Sequence, residues 1–211
     1  MRLYFLLIKQ TQEILLAISI VILSSLPVAL ALQPDWFAEN HITYLYAIAH
    51  LSLFIVMIVR PLADLLPQLK FVRPLVILRK GMGVLSASII VSFILAKLIV
   101  DPLDYLNGFG NAEYWSLENL TLLAHLADIS AILLLVTSNN LSKKVLGKNW
   151  KRIQRLSYVY FYGSALYVFF ILGDQLMLWY LAIVTLLTGL AFIKNRFKKP
   201  VAETTLKPLS I

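Results

Sequence analysis

Three side chains combine a group that can bind a proton or a metal ion with a position inside a long apolar run. They are His50, His125 and Asp128. Two imidazoles that face each other across a helical bundle could ligate a haem iron or a metal ion. His125 and Asp128 share one face of a helix and could form a proton-carrying pair. Alternatively, His125 has a structural role, hydrogen-bonded to Asp128 or to a neighbouring helix.

The composition excludes several other kinds of chemistry. The 211 residues contain no cysteine, so disulfides, thiolate metal sites and thiol redox reactions are excluded. The sequence carries no motif for binding flavin or nicotinamide, and no zinc-protease motif. The net charge of +8 is expected to reflect membrane topology, because lysine and arginine accumulate in cytoplasmic loops. We therefore expect no nucleic-acid partner.

The elements that must position these side chains are membrane-spanning helices. The chain is 60% hydrophobic, and its few charges cluster between long apolar runs. A hydrocarbon core of about 30 Å needs about 20 apolar residues per helix. The runs predict six spans, at residues 12–32, 43–60, 81–100, 117–138, 156–173 and 176–193. We expect an all-α six-helix bundle, with one transmembrane domain over 1–193 and a basic, flexible tail over 194–211.

The charges of the connections predict the orientation of the bundle. Basic residues precede the first span, follow the second, fourth and sixth spans, and alternate with acidic or neutral connections. The positive-inside rule then places both termini in the cytoplasm. Lys97 lies near the outer end of the third span, from which its amine can extend to the membrane surface. The expected location is a bacterial cytoplasmic (inner) membrane, in which the chain is a multi-pass protein.

Four short motifs resemble the ferric-reductase-like transmembrane family. They are RPLADLLP at 60–67, LRKGMGVLS at 78–86, VTSN at 136–139 and LGKNWKRIQRLSYV at 146–159. Within that family the chain is most similar to the haem-binding membrane subunit of the periplasmic methionine sulfoxide reductase system (MsrQ-like), over residues 50–170. Members form a haem-bearing helical bundle that passes electrons across the membrane. The resemblance therefore implies another membrane or redox subunit as a partner, besides the lipid bilayer.

The family places haem-ligating histidines at three positions where this chain has other residues. The histidine of span three falls at Phe93, and the two histidines of the fifth-span motif fall at Gln154 and Tyr167. Tyrosine ligates haem iron in some proteins. Phenylalanine has no ligand atom, and glutamine is a poor ligand. The substitutions argue against haem b at the usual positions.

Three functional hypotheses follow. The first, favoured by the substitutions, is a degenerate, haem-free accessory or structural subunit of a membrane complex. The second is a transmembrane electron-transfer subunit of an oxidoreductase, whose haem b is held by the relocated ligands His50 and His125. The third is a small transporter or proton pathway that uses His125, Asp128 and Lys97. None of these is a stand-alone enzyme.

Overall fold

The computed structural model describes residues 2–34, 39–116 and 120–197, and within these ranges the chain is helical, without a β-strand. The helices are α1 (Arg2–Leu32), α2 (Glu39–Leu65), α3 (Val72–Leu75), α4 (Leu78–Val100), α5 (Pro102–Gly108), α6 (Thr121–Thr137), α7 (Asn140–Leu146), α8 (Lys148–Ile153), α9 (Leu156–Leu172) and α10 (Gln175–Phe197). A 3-10 turn, Ala112–Trp115, lies between α5 and α6.

Five helical segments of the described residues are long and apolar enough to cross a membrane, and a sixth results if α6 and α7 form one broken span. The axes of α6 and α7 differ by 97°. The 17 residues of α6 cover only about 25 Å at 1.5 Å per residue, which is less than the hydrocarbon thickness. The prediction of an all-α bundle with several helices long and apolar enough to cross a membrane is confirmed for the described residues. The number six stays a prediction, since residues 117–119 lie outside the described ranges.

The ends of two predicted spans differ from the observed helices. Helix α1 begins at Arg2 rather than near residue 12, because the apolar run continues through residues 3–8 and Ile8 is buried. Helix α10 continues to Phe197, into the segment predicted as a tail. Lys194 and Arg196 in its last turn suit the negative end of the helix dipole. Residues 198–211 lie outside the described ranges.

Helix α4 is the central element of the bundle. It packs against α1, α2 and α6, and 11 of its 23 residues are buried. Small side chains on its buried surface allow neighbouring backbones to approach closely. They include Gly81, Ser86, Ala87, Ser88, Ser92 and Ala96. The hydroxyl groups of Ser86 and Tyr160 are hydrogen-bonded at 2.9 Å, which connects α4 to α9.

The most extensive contact between described helices outside α4 is formed by α6 and α9. Gly163 of α9 is buried against α6, and a Cβ at this position would lie only 2.9 Å from the carbonyl oxygen of Leu123. Only glycine is small enough for this separation. The contact fixes the height of α9 against α6, and therefore the relative positions of the polar side chains on the two helices.

The basic segments meet at one end of the bundle, as their alternation along the chain predicts. The Tyr4 hydroxyl at the start of α1 donates to the carbonyl oxygen of Phe71, in the connection between α2 and α4. The Lys194 amine at the end of α10 donates to the carbonyl oxygen of Leu65, at the end of α2. We call this end of the molecule the basic end, and the opposite end, with Asp101 and Asp174, the acidic end. That the basic end faces the cytoplasm stays a prediction.

The outer surface of the bundle is rich in exposed apolar side chains. Examples on three helices are Ile20, Val136, Leu186 and Phe192, each more than half exposed. In water such a continuous apolar surface would drive association. In a bilayer the lipid chains cover it, while the helical backbone satisfies its own hydrogen bonds.

Candidate functional site

Aromatic side chains of three helices lie near one another at the surface of the bundle, around Tyr46 of α2, which is 39% exposed. The ring of Phe93 on α4 is stacked on Tyr46, with 4.4 Å between the ring centroids and 11° between the planes. Tyr167 of α9 is close enough to interact electrostatically with the Tyr46 phenol. We call Tyr46, Phe93 and Tyr167 the Tyr46 cluster. Two of the three positions at which the resembled family has histidines therefore lie in this cluster.

The third family position lies elsewhere. Gln154 is at the end of α8, at the basic end of the molecule, and its Nε2 donates to the Thr137 hydroxyl at 3.5 Å. Thirteen helical residues separate it from Tyr167, which corresponds to about 20 Å. Phe93 offers iron no ligand atom, and the Gln154 amide is a poor ligand that already has a partner. Of the three family positions, Tyr167 alone therefore carries a side chain that ligates haem iron in some proteins.

His50 lies one turn below Tyr46 on the same face of α2 and is buried. Its Nδ1 donates to the carbonyl oxygen of Tyr46 at 2.9 Å. In the neutral ring this bond assigns the proton to Nδ1 and the free lone pair to Nε2. Nε2 is buried and has no hydrogen-bond partner among the described residues. Nε2 of His50 is thus a buried nitrogen atom whose lone pair is available to ligate a metal ion.

His125 lies at the acidic end, in an aromatic group supplied by the connection between α4 and α6. Its ring is stacked on Tyr114 at 4.4 Å and 10°, and the rings of Phe109 and Trp115 each lie 5.9 Å away. The sequence suggested a hydrogen bond from His125 to Asp128 or to a neighbouring helix. The described residues contain no hydrogen bond between these two side chains, because the aromatic connection folds over the imidazole instead.

The two candidate haem ligands have separate surroundings. In the described part of the chain, no hydrogen bond or ring contact joins His50 to His125. No group of three or more histidine or carboxylate side chains there is arranged to hold a metal ion. Haem ligation by these two histidines stays a prediction.

Asp128 lies half-buried on α6, facing the interior. It interacts electrostatically with Lys97 and with the phenols of Tyr46 and Tyr160. The Lys97 side chain is exposed, as expected for an amine that extends to the membrane surface. No ion pair holds the two residues together among the described side chains. The proton relay through His125 and Asp128 also stays a prediction.

A pocket at the basic end is the feature that inspection of the sequence missed. Its volume is about 690 Å³, and it lies between the end of α2, the start of α4, the bend between α6 and α7, and the start of α9. Each of the four motifs that carry the family resemblance contributes to its lining, for example through Arg60, Arg79, Asn139 and Gln154. The clustering of basic residues within those motifs was the available signal. We call this cavity the basic pocket.

The wall of the basic pocket is strongly cationic. Six basic side chains line it, namely Arg60, Arg79, Lys80, Lys143, Lys151 and Arg155. None of its described lining residues is acidic. Its floor is apolar and buried, with Leu53, Met57 and Leu134 below the charges.

Together, the described residues form a helical bundle with five or six helices long and apolar enough to cross a membrane, an aromatic cluster around Tyr46 and a cationic pocket at one end. Comparison with protein-family models, curated proteins and solved structures finds no match for this chain.

Proposed function

We propose that the chain is a haem-free accessory or structural subunit of a membrane complex, built on a ferric-reductase-like bundle. The observation that carries the proposal is the stacking of Phe93 on Tyr46, with Tyr167 beside them. A haem held between α4 and α9 would need two ligands and an open space at this point. The chain instead offers packed rings, one of which has no ligand atom.

Aromatic stacking between α2 and α4 favours a structural role. Stacked aromatic pairs contribute about 0.5–1.5 kcal/mol beyond the area they bury. The stacking of Phe93 on Tyr46 therefore stabilises the association of α2 and α4. In this function the bundle supports another membrane or redox subunit and carries no electrons itself.

An optical spectrum of the purified protein tests this proposal. We expect no Soret band, even when the protein is produced with added haem. A stoichiometric band that disappears in His50→Ala or His125→Ala would contradict the haem-free function. His41→Ala, at the start of α2, is the matched control because it removes the remaining histidine of the chain. Purification in a mild detergent should also yield a stable complex with a second membrane protein, and purification of this chain alone would contradict an accessory role.

A second candidate is electron transfer through haem held by relocated ligands. The observation that favours it is the buried Nε2 of His50, which has no partner among the described residues. In the tautomer with the proton on Nδ1, this nitrogen carries the lone pair that iron ligation requires. The candidate predicts a haem spectrum that is lost in His50→Ala and retained in His41→Ala.

A gain-of-function variant tests the family resemblance itself. Restoring histidine at Phe93 and Tyr167, together with Tyr46→Ala to make space, should introduce a Soret band. The matched control is Phe93→Leu with Tyr167→Phe and the same Tyr46→Ala change, which makes space without adding a ligand. If the folded histidine variant binds no haem, the positions carried over from the family do not have the geometry of a haem site.

A further inference from the structure

We propose that the basic pocket binds a phosphate group, carried by a membrane lipid or by a soluble compound. The proposal is independent of haem and of the accessory function. Six basic side chains line the cavity, and its described lining contains no carboxylate that could neutralise them. A phosphate bound in the cavity would offset the mutual repulsion of these cations.

Arg79 is held in position at the wall of the basic pocket. Its side chain is half-buried, and its Nε donates to the carbonyl oxygen of Val56 at 2.9 Å. This bond fixes the guanidinium group at the pocket wall. The two terminal nitrogens of Arg79 have no partner among the described residues, and their forked geometry matches two phosphate oxygens. Arg60 lies close enough to repel Arg79 electrostatically, and an anion between them would remove that repulsion.

The walls of the pocket are held in place by hydrogen bonds. The Trp150 indole donates to the carbonyl oxygen of Thr137 at 2.9 Å, which fixes α8 against the end of α6. The Asn139 side chain caps α7 by accepting from the backbone amide of Ser142 at 2.7 Å. The amine of Lys143 lies 5.5 Å from the centre of the Trp150 ring. The cations of α7 and α8 are therefore presented on a preorganised surface.

The floor of the pocket suits a ligand with an apolar part. Leu53, Met57 and Leu134 are buried below the ring of cations. The cavity volume of about 690 Å³ lies within the usual range for small-molecule sites. Basic pockets between transmembrane helices are suited to lipid phosphates, because the charges lie at the level of the headgroups. A phosphodiester with a proximal acyl segment would use both the wall and the floor.

Two triple variants distinguish binding in the basic pocket from attraction to the general positive charge of the basic end. Both remove three charges from the basic segment of residues 143–155, which contains α8 and parts of the flanking helices or turns. The pocket variant is Lys143→Gln, Lys151→Gln and Arg155→Gln. The control variant is Lys144→Gln, Lys148→Gln and Arg152→Gln, whose residues do not line the cavity.

Native mass spectrometry of the protein in detergent, titrated with phosphatidylglycerol, measures the apparent Kd of the first bound lipid. One cation near a lipid phosphate changes binding about fivefold, so we expect the pocket variant to bind about 100-fold more weakly. The control variant should change the Kd less than about fivefold. A charge-retaining variant, Lys143→Arg, Lys151→Arg and Arg155→Lys, should bind like the unchanged protein, which shows that the loss is not caused by misfolding. Equal losses in the pocket and control variants, or no loss in either, would overturn the proposal.

Further arms of the titration identify the source of the phosphate. If the ligand is a lipid, phosphatidylglycerol should bind at least about tenfold more tightly than inorganic phosphate. If it is a soluble compound, inorganic phosphate should displace phosphatidylglycerol at similar concentrations, and this binding should also be lost in the pocket variant. Phosphatidylcholine carries the same phosphate next to a cancelling positive charge. Binding of phosphatidylcholine as tight as that of phosphatidylglycerol would contradict recognition of an anion.

Discussion

The contact between α6 and α9 leads to a quantitative prediction for Gly163→Ala. The new Cβ would lie 2.9 Å from the carbonyl oxygen of Leu123, and ordinary contact begins at 3.4 Å, so the helices must separate by 3.4 − 2.9 = 0.5 Å. Overpacking of this kind costs about 1–3 kcal/mol. The higher helix propensity of alanine offsets about 0.8–1 kcal/mol of this cost. We expect the free energy of unfolding to fall by up to about 2 kcal/mol.

Reversible unfolding in mixed detergent micelles, followed by circular dichroism, measures this change. The matched control is Gly189→Ala on α10, where a Cβ would meet no atom within 4 Å. That substitution should leave stability unchanged or raise it by up to about 1 kcal/mol through helix propensity alone. If Gly163→Ala is as stable as Gly189→Ala, α6 and α9 are not packed as closely as described, and the argument from backbone contact fails.

Two further substitutions test hydrogen bonds that connect helices. Tyr160→Phe removes the buried bond to Ser86 and should cost about 0.6–1.5 kcal/mol of unfolding free energy, so a double-mutant cycle with Ser86→Ala that gives no coupling would contradict the bond. Trp150→Phe removes the indole donor to Thr137 and should increase trypsin cleavage within α8, whereas Trp179→Phe, on an exposed surface of α10, should not. Equal cleavage in the two tryptophan variants would count against a fixed α8.

Helix α9 illustrates what local sequence predicts well. Its predicted span, residues 156–173, agrees with the observed Leu156–Leu172 within one residue. The apolar run starts directly after Arg155 and ends at Gly173, whose φ of +69° is a conformation that suits glycine. Both boundary signals lie within the chain segment itself, so no distant contact is needed to place them.

Helix α6 ends at Thr137, within one residue of the predicted end at 138. The sequence did not reveal that the chain then turns by 97° into another helix, α7. Asn139 stabilises the turn by capping α7. The capping residue is visible in the sequence, but the direction of the turn depends on the bond between Trp150 and Thr137, thirteen residues apart.

For the candidate functional residues, too, the sequence predicts some features and not others. The sequence identified His50, His125 and Asp128 because a charged or ionisable group inside an apolar run is visible without any structure. It did not reveal that an aromatic connection stacks on His125, or that Phe93 and Tyr167 both approach Tyr46. The contacts at Tyr46 join segments that are far apart in the chain, and the stacking on His125 depends on how the connection before α6 folds back.

The sequence by itself determined that the chain forms apolar helices long enough to cross a membrane, and that basic and acidic connections alternate between them. Both properties are imposed by the bilayer on each segment separately. Only the tertiary structure decided which helices are neighbours, and therefore that Arg60, Arg79 and Arg155 line one pocket. The physical reason is that helices in lipid associate through close packing of small side chains and specific hydrogen bonds, and lipid-facing and helix-facing surfaces are both apolar. The sequence pattern of a helix therefore does not show which of its surfaces contacts another helix and which contacts lipid.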